Sequence, residues 1–393
     1  MRQKVEIYNY DGRIEHILRK IKDSSISKKN KSLILDFHRN RLSCGLSKVR
    51  QYKYLYTLER ITRVLKKDFE SVTKDDIIDL LANFEKRNFS EWSKHDYKVV
   101  LKIFFRWLRK TDEYPPEVKW IKTTVRNSHL LPDEILTEEE VKTMAENADN
   151  LRDKAFILVL YESGCRVSEI LTLQIRNVQF DQYGAILIVT GKTGDRRIRI
   201  IASAPKLFSW IENHPLRDRM DAPLWTSLSL NNRHNRLSYR AVKDMLKEVA
   251  KKSGVKKRVY PHLFRHSRAT FLAGFLTEAQ LKQYFGWVQS SDMASTYVHL
   301  SGRDVDNALF KLQGIEVKKQ EKEVVLKTVL CPRCSEKNSP ESKFCMRCGS
   351  PLDVNTALKL DELRAKADKL MTILIKDPKI LEKLLEKLEE IPA

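Results

Sequence analysis

The chain is predicted to be mainly α-helical with one small antiparallel β-sheet. It divides into a helical N-terminal domain, a larger central domain, and a cysteine module followed by a helical tail. Three observations predict this. Apolar residues recur at helical spacing through most of the 393 residues. Strand-like composition is confined to two segments flanking a turn at 191–195. Four of the six cysteines crowd between Cys331 and Cys348. With 42% hydrophobic residues, a chain of this length can bury a core in each of several domains.

Residues from about 10 to 110 read as helices. Leu33, Phe37 and Leu42 mark one amphipathic helix, ended by Gly45. Ser47 is the N-cap expected for the next, which carries Tyr52, Leu55, Leu58, Ile61 and Leu65. Thr73 with Asp76 forms a capping box for a third. A fourth begins near Trp92, buries Val100, Ile103, Phe104, Trp107 and Leu108, and ends before Pro115-Pro116. Its other side carries Lys94, Lys98, Lys102, Arg106 and Lys110, a face that is either solvated or tracks a phosphate backbone. Residues 111–131 read as a connection between domains.

A second helical domain starts at Thr137, where Glu140 completes another capping box. An apolar helix follows, stopped by Gly164, and then a short helix from Cys165-Arg166. Segments 184–190 and 196–201 flank Gly191-Lys192-Thr193-Gly194-Asp195 as a β-hairpin. Helices resume near Ala204 and Tyr239. Segment 314–330 is a linker or short strand. In the tail, Leu360, Leu363, Ala367, Leu370 and Leu374 share a face, and Pro378 divides it into two helices. The expected domains are 1–115, 132–312, 331–352 and 355–391.

Charge narrows the function. Lysine and arginine number 73 against 52 acidic residues, a formal net charge of +21. Such a surplus implies a polyanionic partner, nucleic acid first, although a merely soluble cationic protein shares the arithmetic. No run of about 18 apolar residues occurs, so no membrane span is expected. The opening MRQKVEIYNYDG lacks the apolar stretch of a signal peptide.

The residues that carry chemistry are dispersed. Arg166 follows an apolar helix, with Glu169 three residues on to hold it. Gly191-Lys192-Thr193 has the look of a phosphate loop, but the position that loop requires to be glycine is Ile186, and a strand rather than a helix follows. Nucleotide binding is excluded. Lys192 is then a hairpin-tip lysine, solvent-exposed or reaching a phosphate. His262 and Arg265, three apart, share a helix face suited to a tetrahedral anion. Arg265, His266 and Arg268 crowd positive charge on one turn, which is unfavourable unless an anion sits there. Trp287 is either a core aromatic or an indole donor, and Tyr297 supplies a phenol.

Taken together, SGCRVSEI, the hairpin lysine, HLFRH, GW and STYVH resemble the tyrosine recombinases (phage-integrase family) in order and context, over about residues 30–312. The resemblance implies a DNA-clamping N-terminal helical domain and a catalytic domain in which Tyr297 is the nucleophile. Arg166 and Arg265 would neutralise the phosphate, Lys192 protonate the leaving 5′-oxygen, His262 assist proton transfer, and Trp287 position the phosphate. No cofactor would be needed for catalysis. Double-stranded DNA is the implied partner, bound by a homotetramer with an accessory directionality protein in some relatives. Cys165 and Phe264 depart from the family's usual residues without removing a reacting group. The implied setting is cytoplasmic, at the nucleoid. A type IB topoisomerase shares the nucleophile and phosphate clamp, and a non-catalytic DNA-binding regulator on the same fold is the third alternative.

Cys331-x-x-Cys334 and Cys345-x-x-Cys348 are two knuckles separated by ten residues. Each offers two thiolates, with no histidine and no open ligand position, the pattern of a structural zinc ribbon. Gly349 permits the tight turn around the second knuckle. Ribbons of this kind resemble those of many archaeal proteins.

Overall fold

The computed structural model describes residues 7–124, 132–191, 194–300, 312–313 and 324–375. Lys192 at the hairpin tip and Pro378 in the tail lie outside the described residues. Two units are present, Met1–His129 and Leu130–Ala393.

The described residues of the first unit form six α-helices: α1 Tyr10–Asp23, α2 Lys28–Ser43, α3 Lys48–Leu65, α4 Lys74–Glu85, α5 Glu91–Leu108 and the short α6 Pro116–Lys119. The signals read from sequence act as expected at the ends of α4, where Thr73 and Asp76 cap reciprocally, and beyond α2, where Gly45 has φ +70°. The core is aromatic. Phe104 packs on Phe69 with centroids 4.6 Å apart and edge-on to Phe37 at 5.2 Å. Buried Asn30 donates to Lys67 O at 2.9 Å and accepts from Phe69 N at 2.9 Å, fixing the α3–α4 connection to α2.

Two sequence expectations change here. Val118 and Ile121, within the stretch read as a connection, are buried in this core, because the turn at Pro115 folds α6 back beside α4 and α5. The basic face of α5 is also less free than its composition implies. Lys94 pairs with Glu85 at 2.8 Å and Glu91 at 2.9 Å, Lys98 with Glu85 at 3.0 Å, and Lys102 donates to Ile121 O at 3.0 Å.

The second unit opens with α7 Glu138–Glu146, α8 Leu151–Ser163 and α9 Val167–Thr172. A three-stranded antiparallel sheet follows, β1 Val178–Asp181, β2 Gly184–Gly191 and β3 Gly194–Ile200, in order β1-β2-β3. Strand β1 was not legible: it is only four residues long and three of them are exposed. The register pairs Gly191 with Gly194 at the end of the β2–β3 ladder. Then come α10 Ala204–Glu212, α11 Tyr239–Lys252, α12 Pro261–Leu272, α13 Glu278–Phe285 and α14 Met293–Leu300.

α8 is the axis of this unit, with both flanks of its apolar run buried. Its Glu162 carboxylate accepts from the N–H groups of Ile201, Ala202 and Ser203, at 2.7, 3.0 and 2.7 Å, and so ties the end of β3 to the helix. Past α14, Val325 and Leu326 donate backbone N–H groups to Glu138 at 2.8 and 3.1 Å. The cysteine module, with β4 Val329–Leu330 and β5 Lys337–Asn338, sits against this unit through Lys206–Glu341 at 3.0 Å and Lys337 Nζ to Gln182 O at 2.9 Å. The last helix, α15 Val354–Ile375, leaves Leu363, Leu370 and Ile373 exposed. No described helix is long and apolar enough to cross a membrane.

Gly164 ends α8 at φ +57°, and a Cβ there would stand 2.4 Å from Phe285 Cε1. Gly164→Ala therefore adds left-handed strain to a steric conflict, a combined loss of about 2–4 kcal/mol. Denaturant unfolding should show it. An unchanged midpoint would contradict the packing of α8 on α13.

Candidate active site

Helix ends bring the site together. Arg166 occupies the N-cap of α9, just beyond the left-handed Gly164 that terminates α8. Its backbone N–H donates to Glu169 Oε2 at 2.8 Å, and its Nη1 lies 3.1 Å from Glu169 Oε1. Glu169 therefore caps its own helix and holds the arginine, the role the three-residue spacing suggested.

A second arginine shares that carboxylate. Arg196 on β3 donates from Nη1 to Glu169 Oε1 at 3.0 Å and from Nη2 to Oε2 at 2.8 Å. Burial alone would raise Glu169, but the Arg196 hydrogen bonds and charge, with Arg166, carry its pKa below the ordinary value. Gly191, the residue before Lys192, passes so close that a Cβ would lie 2.8 Å from Glu169 Oε1 and 3.0 Å from Arg196 Nη1. The base of the hairpin tip is thus seated on the Glu169–Arg196 pair. Sequence reasoning missed Arg196 because its segment, Arg196-Arg197-Ile198-Arg199, offers three arginines, and only the sheet register and pleat select the one that faces inward.

Helix α12 supplies three more groups. Pro261 opens it, and His262, Arg265 and His266 follow within its first two turns. Arg265 is 3% exposed. Its Nη1 donates to Gly164 O at 2.9 Å and its Nη2 to Phe285 O at 2.7 Å, and the guanidinium lies over the rings of Phe285 and Trp287 at 5.0 and 5.5 Å. Burial, then the like charge of Arg166, pushes its pKa down to about 10. It remains a cation, one held by carbonyl dipoles.

Crowding by surrounding protein, then the charge of His266, Arg265 and Arg166, pushes His262 down to about 4. This imidazole is therefore neutral at neutral pH although part of the residue is open to solvent. The His262 and His266 rings meet edge to face, centroids 4.5 Å apart at 87°.

Left-handed Gly286, φ +61°, ends α13 and turns Trp287 back over the site. Trp287 stacks on Phe285 at 4.9 Å and lies parallel to Tyr297, at 5.5 Å with 1° between planes. Tyr297, on α14, is 5% exposed, and burial, opposed by Arg265, pushes its pKa up to about 12. Its hydroxyl is hydrogen-bonded to His266 Nδ1.

Of the six residues singled out from sequence, the structure gathers His262, Arg265, Trp287 and Tyr297 directly. It brings Arg166 near enough for its charge to act on His262 and Arg265, and Lys192 lies outside the described residues. Arg268 departs from the expected crowding. It leaves the site side of α12, meeting Glu138 at 3.3 Å and donating to Glu162 O at 3.1 Å, because that buried carboxylate and the α8 carbonyl accept its guanidinium. Cys165 is buried, which, with Glu169 beside it, pushes its thiol up to about 11. It is a packing residue, not a thiolate nucleophile.

The four module cysteines form a separate centre. Their sulfurs all lie within 4.8 Å of one another, with Cys331–Cys348 at 3.5 Å and Cys334–Cys345 at 3.6 Å. Bonds of about 2.3 Å from a central zinc give tetrahedral edges of about 3.8 Å, so the set fits that ion. Arg333 N–H and Asn338 Nδ2 approach Cys331 and Cys345 sulfur at 3.4 and 3.7 Å, donors suited to thiolate charge.

The phage integrase family model matches residues 134–303, and a zinc-ribbon domain model matches residues 330–352. Tyrosine recombinase XerA of Pyrococcus horikoshii is 34% identical over 263 residues, covering 66% of this chain and 88% of that protein. Tyrosine recombinase XerD of Bifidobacterium longum is 27% identical over 246 residues, covering 59% and 79%. Among solved structures, XerH site-specific recombinase bound to palindromic difH substrate aligns with TM-score 0.56 and 17% identity, over 80% of this chain and 98% of that one. A λ integrase dimer bound to a COC′ core site aligns with TM-score 0.55 and 19% identity, over 74% and 82%. At these identities the structural likeness is one of fold.

Glu169→Gln should weaken the arginine assembly in a pH-dependent way. The folded pKa lies below the ordinary 4.5, so the carboxylate's contribution is full above about 4.5 and is lost as pH falls through the folded value. The stability gap between wild type and Gln should be constant at neutral pH and close in acid. A gap that shows no narrowing as pH falls below 4.5 would assign it to packing instead.

Proposed function

The chain belongs to the phage integrase family of tyrosine recombinases, and from that premise we propose that it is a site-specific DNA recombinase. It cleaves and rejoins strands through a 3′-phosphotyrosyl intermediate. The observation that carries the reading is the seating of Tyr297, parallel to Trp287, with its hydroxyl on a histidine and the Arg265 cation nearby.

In this reading Tyr297 Oη attacks the scissile phosphorus and the 5′-oxygen departs with a proton from Lys192. Arg265, pinned by two carbonyls, keeps its remaining N–H groups for non-bridging oxygens, and Arg166 joins it from the α9 N-terminus. Negative charge that builds on the phosphoryl oxygens is thereby met by cations already in place, which need no reorganisation during the step. Neutral His262 can exchange a hydrogen bond or proton with the phosphate. Trp287 braces the tyrosine ring and lines the phosphate position. The covalent phosphotyrosine preserves the bond for rejoining by a second 5′-hydroxyl.

We assign DNA clamping to the helical unit and catalysis to the unit that follows, acting as a homotetramer on paired duplexes through a Holliday junction. The cytoplasmic nucleoid is the setting this substrate requires. In the ribbon, Cys331, Cys334, Cys345 and Cys348 would hold one zinc ion, which supplies fold stability rather than chemistry.

Tyr297→Phe should bind target DNA with wild-type affinity and form no covalent complex on a nicked suicide substrate, a loss of more than about 1000-fold if the phenol is the nucleophile. Adduct from the Phe variant would show that another group attacks. Zinc removal gives an independent outcome. Cys345→Ser or a strong chelator should release about one zinc per chain and unfold the module. Native mass spectrometry of a metal-free wild-type protein would contradict the zinc assignment.

A further inference from the structure

The motif that nominated His262 for proton transfer places it one turn before the imidazole that meets the nucleophile. Among the described residues, the side chain hydrogen-bonded to the Tyr297 hydroxyl is His266, through Nδ1. His262 reaches that imidazole edge-on instead. The i, i+4 spacing on α12 stacks both rings on one face, with His266 on the side of α14.

The nucleophile needs this contact. With its pKa pushed up to about 12 by burial, Tyr297 is phenolate in only about one molecule in 10⁵ at pH 7. Arg265 pulls in the favourable direction but does not overcome the burial. A base is therefore required beside Oη. His266 meets the condition that it be unprotonated: burial, then Arg265, lowers its pKa below the ordinary 6.5. The groups facing this pair are His262 and Arg265 from α12, Trp287 beyond α13, and Tyr260, whose hydroxyl also acts on Tyr297. None of these is a carboxylate that would hold a proton on His266.

We propose that His266 is the general base of the reaction. Its Nδ1 takes the phenolic proton as Tyr297 Oη forms the bond to phosphorus. The bond from phosphorus to the 5′-oxygen breaks in the same step, and that oxygen receives its proton from the acid on the opposite side. In rejoining, the 5′-hydroxyl gives its proton back to the now deprotonated acid as it forms the new bond to phosphorus. The bond from phosphorus to Tyr297 Oη breaks, and protonated His266 returns its proton to the departing phenolate. The imidazolium that exists between the two steps lies next to the covalent phosphodiester, whose negative charge compensates it. His262 is then left to hydrogen-bond the phosphate. The assignment rests on Tyr297 as nucleophile.

The test is single-turnover cleavage of a suicide substrate by wild type, His266→Ala and His266→Asn, from pH 5 to pH 10. Asparagine can present Oδ1 where Nδ1 was, so it keeps an acceptor but takes no proton. Both variants should bind DNA with unchanged affinity and cleave about 100- to 10,000-fold more slowly at pH 7. Wild-type rate should fall on the acid side as His266 protonates below pH 6.5, whereas the variants should lose that limb and accelerate steadily toward high pH. A 5′-bridging phosphorothiolate, whose sulfur leaves without a proton, should not rescue them.

Three results would overturn the proposal: wild-type rates for the Asn variant, which would make the contact positional; rescue by the phosphorothiolate, which would put His266 on the leaving group; or an acid limb retained in the Asn variant. Thermal melting and DNA affinity of the Asn variant separate a folding defect from a chemical one. Should Tyr297→Phe itself form an adduct, the nucleophile assignment fails, an outcome distinct from normal cleavage by His266→Asn.

Discussion

The guanidinium of Arg265 is the constraint around which the second unit is arranged. Among the described residues it is buried with two backbone carbonyls, Gly164 O and Phe285 O, and no carboxylate as hydrogen-bond partners. Both belong to residues at helix C-termini, the ends of α8 and α13, where unsatisfied carbonyls and the helix dipole carry partial negative charge. One cation therefore fixes the distance between two helix ends, and those ends are where the chain turns toward Arg166 and Trp287. Dipoles hold the charge without cancelling it as a carboxylate would. The cation stays available to an anion.

Glu169 treats its arginines differently. Here a full carboxylate receives Arg196 through two nitrogens and Arg166 through a side-chain and a backbone N–H. The contrast sorts the three arginines by role. Arg196 is 12% exposed at its side chain and engaged on both oxygens, whereas Arg166 is 33% exposed and makes a single side-chain contact at 3.1 Å. Arg196 acts as the counter-ion that keeps Glu169 ionised, and Glu169 orients Arg166. Gly191 completes the layer, since any side chain there would displace the pair.

Much of this was legible in the sequence, and the exceptions have physical causes. Capping boxes at Thr73 and Thr137 and stop signals at Gly45 and Gly164 are local, so residue order alone reveals them. The candidate site residues were singled out by the order of their motifs, and two of them, Arg166 and Trp287, closely follow helix ends marked by left-handed glycines. Strand β1 was not legible because an edge strand of four residues, three of them exposed, is too short for its alternation to stand out. Arg196 was hidden among three arginines within four residues, and Arg268 was grouped with Arg265 by adjacency although its acceptors, Glu138 and Glu162 O, lie more than 100 residues away in sequence. His266 was seen as charge, not as a partner of Tyr297, since that contact joins positions 31 apart. Contacts distant in sequence carry no local signature.

Arg268 shows how the same helix serves two tasks. While Arg265 faces the site, Arg268 turns to the α7–α8 layer, where Glu138 and the Glu162 carbonyl receive it and Tyr161 and Phe271 flank its guanidinium. Glu138 is buried, and its other oxygen accepts both Val325 and Leu326 N–H groups. A buried carboxylate with three donors is stable only while all remain, because losing any one leaves charge poorly compensated in a low-dielectric setting. The segment leading to the cysteine module is therefore bound to the helix that carries His262, Arg265 and His266. Lys206–Glu341 and the Lys337 contact to Gln182 hold the module at a second place, beside the turn of β1 and β2. Attached at both, it is a buttress of this unit and not a freely tethered appendage. Zinc held by its four cysteines would stiffen the module and, through the Glu138–Arg268 link, bear on how firmly α12 is held.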